Sequence, residues 1–300
     1  MVHIAVLKRE VLKYLDVAPG KNFVDCTIGE GGHTSAILKK NGPEGKVLGI
    51  ELDPGLYKKL WETEIKNRLI LINDSYTNLE KIIKKEKFGP VHGILFDLGL
   101  SSWHLEGSGR GFSFLRDEPL NMRYNLKCQI PNVKCQGLTA AEIVNEWLES
   151  EIEKVLRIYG EERFSKRIAR EIVKEREIRP IKTTFQLVEV IKRAVPKKYE
   201  KGRIHPATRT FQALRITVNN ELKSLKETLP QALNVLEPGG RLVLISFHSL
   251  EDRIVKFFLK EKAKKNLLQI LTKKPVRPSE KEVRENPRSR SAKLRAAQKT

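Results

Sequence analysis

Short apolar runs alternate with amphipathic segments through the first hundred residues. Each run is continuously hydrophobic and then turns polar, as in strands that helices cover on both faces. Helical spacing fills the intervals, for example in Leu7 to Leu15, with apolar residues at positions 7, 11, 12 and 15. The predicted strands are 23–27, 46–50, 69–72 and 93–97. This alternation predicts an α/β fold with a doubly wound parallel sheet.

The pattern changes to helices alone after the fourth predicted strand. Apolar residues recur at helical spacing through residues 107–205, and strand patterns return only after them. We therefore predict a discontinuous core, 1–106 and 206–300, with an all-helical insertion at 107–205. Within the second core segment the pattern predicts a helix at 208–225, strands at 241–246, 267–271 and 292–297, and a helix opened by a capping box at Ser249–Asp252.

Three polar features fall where predicted strands end, the edge at which open α/β sheets bind ligands. They are the glycine-rich turn Gly29–Gly32, the carboxylate of Glu51 and that of Asp97. Each also has a plain structural interpretation: a tight connection, a solvated strand end and the start of a loop. Together, at the ends of strands one, two and four, they favour a nucleoside-containing cofactor. A carboxylate at such a position can accept hydrogen bonds from the ribose hydroxyls.

The form of the glycine-rich turn narrows the choice of cofactor. The dinucleotide fingerprint requires glycine or alanine where this chain has Thr34, and no Gly-Lys-Ser/Thr sequence forms a P-loop. A cofactor without a pyrophosphate fits better, so the sequence favours S-adenosylmethionine over NAD.

The net charge of +20 is unevenly distributed. Residues 1–106 and 206–255 each carry +1, whereas 107–205 carry +7 and 256–300 carry +11. A basic excess of this kind predicts a polyanionic partner, with nucleic acid the first candidate. Much of the charge in the insertion is nevertheless expected on solvated helix faces, including the side chains Arg163, Lys166, Arg167 and Arg170.

The remaining composition indicates a cytoplasmic protein. Three cysteines form no disulfide framework and no zinc pattern, so no metal site is predicted. No apolar run approaches the length of a membrane span, and charges at Lys8, Arg9 and Glu10 exclude a signal peptide, so no membrane association is expected. Oligomeric state is not readable from the sequence, and a homodimer is left open.

Several motifs in a fixed order give the chain a resemblance to a known family. It resembles, over essentially its whole length, the bacterial 16S ribosomal RNA cytosine-N4-methyltransferases of the RsmH (MraW) family. The matching stretches are Gly29–His33, Asp97–Ser102, Arg110–Phe114, Tyr159–Phe164, His205–Arg215, Ser246–Arg253 and Asn286–Ser289. The segment Asn125–Gln136, with Cys128 and Cys135, matches no family motif.

The resemblance implies a class I S-adenosylmethionine-dependent methyltransferase core, Rossmann-like, that acts on the 30S ribosomal subunit near the decoding site. It implies cofactor contacts at Gly31, Gly32, His33, Glu51, Tyr76, Asp97 and His104. At three of these positions the chain departs from the usual pattern. Glu51 stands where aspartate is common, Tyr76 where phenylalanine is common, and His104 where glutamine is common.

Transfer of a methyl group to cytosine N4 requires a group that accepts an N4 hydrogen, because the nitrogen lone pair is delocalised into the ring. We expect Asp97, or a backbone carbonyl of 98–101, to serve as that acceptor. An unstacked base could be held by aromatic side chains, and its phosphates by cations. The candidates are Trp103, Phe112 and Phe114 for the base, and Arg110, Arg116, Arg209 and the cluster 277–295 for phosphates.

Two other interpretations of the sequence stay open at this point. The glycine- and phenylalanine-containing loop 107–114 is as well explained by a lid that packs on the core as by base stacking. The whole chain could also be a non-catalytic RNA-binding or assembly protein that keeps a cofactor pocket. A dinucleotide-dependent oxidoreductase is disfavoured by the missing third glycine.

Overall fold

The computed structural model describes residues 4–61, 68–125, 137–200 and 204–300. The chain forms two compact units, one of residues 1–101 with 222–300 and one of residues 102–221. The sequence pattern predicts limits of 107 and 205 for the second unit. Residues 207–219 instead form a helix that packs on the insertion's own helices, which puts this segment in the helical unit.

A seven-stranded sheet forms the centre of the first unit. Its strands are β1 Phe23–Asp25, β2 Val47–Ile50, β3 Leu69–Ile72, β4 Gly93–Asp97, β5 Arg241–Ser246, β6 Leu268–Ile270 and β7 Lys293–Lys299. They lie in the order β3-β2-β1-β4-β5-β7-β6. The first five are parallel, and β7 runs antiparallel to both β5 and β6. This is the Rossmann-like sheet of class I methyltransferases, and the predicted fold class is confirmed.

Helices cover both faces of this sheet. They are α1 Lys8–Tyr14, α2 Gly32–Lys40, α3 Pro54–Trp61, α4 Leu79–Lys85, α11 Glu221–Val235, α12 Ser249–Lys264 and α13 Glu280–Glu285. Two separate apolar clusters result, one on each face, because alternate residues of a buried strand point to opposite sides. Val24 and Ile94 pack in one cluster, and Phe23 and Leu95 in the other.

The strand order reverses between β1 and β4, so the loops after these strands diverge and leave a crevice at the carboxyl edge. The loop after β1 runs close over β2. A Cβ atom on Gly49 would lie only 2.5 Å from Cδ1 of Ile28, so β2 needs glycine where the loop crosses it. The crevice therefore opens beside residues 26–33 and 97–101.

The second unit consists of helices α5 Ala140–Glu146, α6 Glu149–Gly160, α7 Ser165–Ile178, α8 Thr184–Ala194, α9 Lys197–Glu200 and α10 Ala207–Asn219. Capping boxes begin two of them, with Thr139 and Glu142 at α5 and Thr183 and Gln186 at α8. Helix α6 packs against both α7 and α10. The described part of the insertion has no strand of its own, as the helical pattern predicted.

Two local predictions for the second core segment were wrong. The single helix at 208–225 is two helices, since Asn220 adopts a left-handed conformation (φ 51°) and ends α10. Asparagine tolerates that conformation, and the apolar spacing carries no sign of it. The capping box of α12 is formed by His248, one residue before the predicted Ser249, with Glu251 as its partner.

The segment 126–136, which contains Cys128 and Cys135, lies outside the described residues. That these two cysteines bind no metal therefore stays a prediction. Across the ranges that the structure does describe, no helix combines the length and apolarity that crossing a bilayer requires.

Candidate active site

Glu51 follows β2 directly, and its carboxylate is built into the loop after β1. Oε2 accepts the N–H of Gly29 at 3.1 Å, and Oε1 accepts the N–H of Asp53 at 2.8 Å. The side chain is buried, and burial raises its pKa from 4.5 to about 8, although the bond from the Asp53 N–H opposes the shift. Each oxygen keeps a lone pair for a further donor. A ligand diol could supply such donors.

Asp97 ends β4, which lies on the other side of β1 from β2 at the same sheet edge. Its backbone N–H donates to Oγ1 of Thr27 at 2.6 Å, which ties the ends of β4 and β1 together. Its Oδ2 lies 3.5 Å from Nε2 of His33, in the first turn of α2. The His33 and Asp97 side chains are 6% and 16% exposed, so this pair is largely removed from water.

A second buried carboxylate, that of Asp25, lies at the end of β1, and the sequence analysis did not select it. Its Oδ2 accepts the hydroxyl of Thr34 at 2.7 Å, and its Oδ1 accepts the N–H of Thr27 at 3.2 Å. Burial raises the pKa of this carboxyl, and nearby His33 opposes the rise. The available signal was an acid at the end of the apolar run Phe23–Val24, because such positions in parallel sheets are otherwise buried and apolar.

The glycine-rich turn joins these groups to α2. Gly29 and Gly31 have left-handed φ values of 55° and 79°, where a side chain would be strained. The turn delivers the chain into α2 at Gly32, whose first-turn N–H groups have no partner within the helix. Tyr76 lies in a 3₁₀ turn after β3, and its ring packs edge-on against Phe96 of β4 at 5.8 Å between centroids.

Three buried polar atoms test whether this edge fits a nucleoside cofactor. Within the described residues, Nδ1 and Nε2 of His33 and Oδ1 of Asp97 have no hydrogen-bond partner. Buried polar groups are ordinarily paired, so these atoms indicate a place for a polar ligand. With the Glu51 carboxylate nearby on the same edge and a half-buried aromatic ring at Tyr76, the donor set fits S-adenosylmethionine.

The predicted site residues from 102 onward belong to the helical unit and form a separate cluster there. His104 lies in a single π-helical turn, Trp103–Gly107, and is buried. Its ring packs edge-on against Phe112 and Tyr124, at 5.2 and 4.9 Å, and the Phe112 and Tyr124 rings stack at 5.2 Å. Tyr124 was not among the predicted site residues, because it neighbours no matching motif.

The expected substrate contacts of Arg110 and Phe112 require correction. Both side chains are buried, each with 6% exposure. The Arg110 guanidinium donates to the carbonyls of Arg123 and Tyr124, at 2.8 and 3.1 Å, and its Cζ lies 5.5 Å from the Phe112 ring centroid. These two residues hold the loop together within the helical unit.

The other expected substrate residues are more accessible. Phe114 is half-buried, stacked on His205 at 4.5 Å and edge-on to Phe211. Trp103 is half-buried and Arg116 is exposed. Arg209 is half-buried and donates to the carbonyl of Glu161 at 2.8 Å.

The fold pairs some side chains of the basic cluster 277–295 with an acid and leaves others exposed to solvent. Arg295 lies on β7, is buried and forms a two-bond ion pair with Asp252, so it is unsuited to the phosphate contact expected of it. Lys293 lies 3.5 Å from the same carboxylate. The side chains that face solvent are Arg277, Lys281, Arg284, Arg288 and Arg290.

Comparison with known proteins agrees with this architecture. The model of the MraW methylase family matches residues 1–300. The chain belongs to the MraW methylase family. The resemblance seen in the sequence is thereby confirmed, and this MraW methylase is an S-adenosylmethionine-dependent methyltransferase.

Curated relatives of this MraW methylase carry the name ribosomal RNA small subunit methyltransferase H. That of Dehalococcoides mccartyi strain BAV1 is 45% identical over 314 residues, covering 99% of this chain and 86% of the relative. That of Persephonella marina is 44% identical over 299 residues, covering 99% of both. A solved rRNA methylase from Streptococcus thermophilus aligns over 99% of both chains at 11% identity and a TM-score of 0.45.

Proposed function

We propose that this protein transfers a methyl group from S-adenosylmethionine to the exocyclic N4 of a cytidine in 16S rRNA, near the decoding site of the 30S subunit and in the cytoplasm. The observation that carries the proposal is the largely buried His33–Asp97 pair, on the same sheet edge as Glu51, where β1 and β4 diverge. The names of the curated relatives support an rRNA substrate.

The cofactor would be held by the residues of this edge. Glu51 would accept the ribose hydroxyls, Tyr76 would lie against the adenine, and the turn Gly31–His33 would contact the methionine part. His104 would add a contact only where the helical unit brings it to the cofactor. When bound, the cofactor supplies an electrophilic methyl group on a sulfonium, so the protein need not provide a metal.

The protein's part in the reaction is to position N4 and to accept one of its hydrogens. Asp97, or a carbonyl of 98–101, would accept that hydrogen and enrich the nitrogen lone pair. Nε2 of His33 lies 3.5 Å from Oδ2 of Asp97, so the two side chains face the same place at the sheet edge. Fixing the amine in line with the methyl group removes much of the entropic part of the barrier.

Other residues would bind the RNA. Trp103 and Phe114 would hold the unstacked base, and Arg116 and Arg209 would contact phosphates together with the exposed arginines at 277–290. Arg110, Phe112 and Arg295 are left out of this set because they are buried. A homodimer remains a prediction, which light scattering on the purified protein would check.

Labelled-methyl transfer tests the proposal. The purified protein is offered unmodified 30S subunits, naked 16S rRNA and DNA, each with labelled S-adenosylmethionine. We expect transfer to ribosomal RNA and none to DNA. Cofactor binding without transfer to any of the three acceptors would contradict the proposal and favour an assembly protein with a retained pocket.

A further inference from the structure

The N-terminal end of α7 carries a group of cations that nothing in the described protein neutralises. Lys166 and Arg167 lie in the first turn of α7, Arg163 lies two residues before the helix begins, and all three side chains are exposed. Within residues 4–61, 68–125, 137–200 and 204–300, none of the three forms an ion pair. We call these three residues the α7 basic face.

Several other cations of the same unit, on α7 and α8, have acidic partners. Lys174 pairs with Glu171 at 2.9 Å, and Lys192 pairs with Glu189 at 2.8 Å. Arg179 is likewise paired, with Glu175 at 2.7 Å. A solvated helix face, which the sequence suggested for the α7 basic face, would be expected to show the same interspersed charges.

Helix stability does not explain the α7 basic face either. The first turn of α7 contains no acidic residue, and Lys166 and Arg167 lie there. Positive charge at a helix N-terminus opposes the macrodipole. A cluster that costs the fold stability and has no internal partner is best explained by an external anion.

Both arginines of the α7 basic face lie against aromatic rings. The Cζ atom of Arg163 lies 4.6 Å from the Phe164 centroid and 5.0 Å from the Tyr199 centroid, and Cζ of Arg167 lies 5.8 Å from that of Phe164. The two rings contact edge-on at 5.0 Å. Such cation–π contacts restrict a guanidinium while leaving its N–H donors available.

The acidic residue nearest to this platform, Glu162, is buried and already engaged. Its Oε1 accepts the N–H of Phe164 at 2.8 Å, and its Oε2 accepts the hydroxyl of Tyr199 at 2.8 Å. Glu162 therefore positions the two rings and leaves the cations unpaired. The positive charges of Arg163 and Arg209 both act on the Tyr199 hydroxyl and oppose the rise in its pKa that burial causes, so Arg209 lies within electrostatic range of the same patch.

We propose that the α7 basic face, on its Phe164–Tyr199 platform, binds backbone phosphates of the substrate RNA. Guanidinium groups that contact aromatic rings keep N–H donors that match phosphate oxygens, and the +7 charge of residues 107–205 favours approach of a polyanion. The inference rests on the proposed function, because the RNA is the one that the protein methylates.

The test compares two double variants that remove the same charge from the same unit. Lys166→Gln/Arg167→Gln alters the α7 basic face, and Lys174→Gln/Lys192→Gln is the matched control, whose lysines are internally paired. Affinity for unmodified 30S subunits is measured at several salt concentrations. Cofactor affinity, measured by calorimetry, and the melting temperature report whether the site and the fold are preserved.

Each lost phosphate contact should lower the slope of log affinity against log salt by about 0.7 to 0.9. We expect the face variant to lose about 1.5 units of slope and to raise KM for the 30S subunit about tenfold, with the control near wild type. Tyr199→Leu should weaken binding in part, while Tyr199→Phe, which keeps the ring, should not.

A face variant that matches its control would overturn the inference and leave the proposed function standing. A loss of affinity with an unchanged salt slope would also overturn it, because the contact would then be to a protein or a base rather than to phosphate. Failure of the wild-type protein to bind or methylate 30S subunits would overturn both.

Discussion

The carboxylate of Glu51 is the side chain whose ionisation the fold perturbs most clearly. In the folded protein its pKa is about 8, against 4.5 in its ordinary range, because burial disfavours the charge. The native state therefore holds a proton more tightly than the unfolded state between these two values. The free energy of unfolding of the ligand-free protein should then fall as pH rises from about 4.5 to about 8 and level off above.

Glu51→Gln should remove this contribution, because glutamine has no proton to lose. Urea unfolding at about pH 5.5 and about pH 8 measures the difference, which for one proton reaches ~1.4 kcal/mol per pH unit. Glu44→Gln, at an exposed position, is the control and should keep the wild-type dependence. An unchanged pH dependence in the Glu51 variant would show that this carboxyl ionises normally.

The role of Asp97 is tested by the smallest change that removes its charge. Asp97→Asn should lower kcat by at least about 100-fold, the usual lower contribution of a proton acceptor, while the melting temperature stays near wild type. Single-turnover transfer to 30S subunits at saturating cofactor measures the loss. Asp16→Asn, which removes only an exposed ion pair with Lys21, is the matched control.

Wild-type turnover by Asp97→Asn would transfer the acceptor role to a backbone carbonyl of 98–101. At this scale the sequence placed Glu51 and Asp97 at the ends of strands, as the structure has them, because a polar residue that ends an apolar run is visible in the pattern; their roles stay predictions. It failed at Arg110 and Phe112, since burial of an arginine depends on carbonyls that the rest of the fold supplies. Asp25 was missed because the predicted strand ran on to residue 27, whereas β1 ends at Asp25.

Helix α6 ends in a glycine because α10 passes directly beside it. A Cβ atom on Gly160 would lie 2.7 Å from the carbonyl oxygen of Arg209 and 3.4 Å from Cβ of Ala213. Gly160→Ala should therefore destabilise the protein by about 1–2 kcal/mol, since the clash outweighs alanine's better helix propensity. Chemical denaturation measures the shift.

Ser150→Ala, at an exposed position of α6, controls for the propensity change and should be neutral or slightly stabilising. If Gly160→Ala were as stable as wild type, α6 and α10 would not approach as closely as described.

Periodicity predicted the helices well, because their apolar faces are regular. The break at Asn220 and the His248 cap depend on single-residue conformations, which spacing does not encode.

In the folded chain, some of the cations counted in the sequence are paired with acidic side chains and others are exposed. Of the +11 carried by residues 256–300, Arg295 and Lys293 are engaged with Asp252, whereas Arg277 and Arg290 are exposed. The sequence supplied the total and its sign. It could not show which cations the fold neutralises, since that follows from strand pairing across β5 and β7.

Charge reversal at the exposed positions should lower the affinity for RNA and make that affinity less dependent on salt concentration. Arg277→Glu/Arg290→Glu is expected to reduce the log–log salt slope by about 1.5, and Lys58→Glu/Lys81→Glu, an equal charge change elsewhere on the sheet unit, by much less. Affinity for 30S subunits across a salt series measures both. Equal slopes in the two variants would remove the C-terminal arginines from the RNA interface.

The identity of the methylated nucleoside decides whether this protein methylates cytosine N4 in 16S rRNA. Unmodified 30S subunits are incubated with the protein and S-adenosylmethionine, the 16S rRNA is digested to nucleosides, and the product is separated by liquid chromatography and identified by mass spectrometry. We predict N4-methylcytidine, absent when Asp97→Asn replaces the wild-type protein. A methyl group on cytosine C5, on another base or on ribose would contradict it.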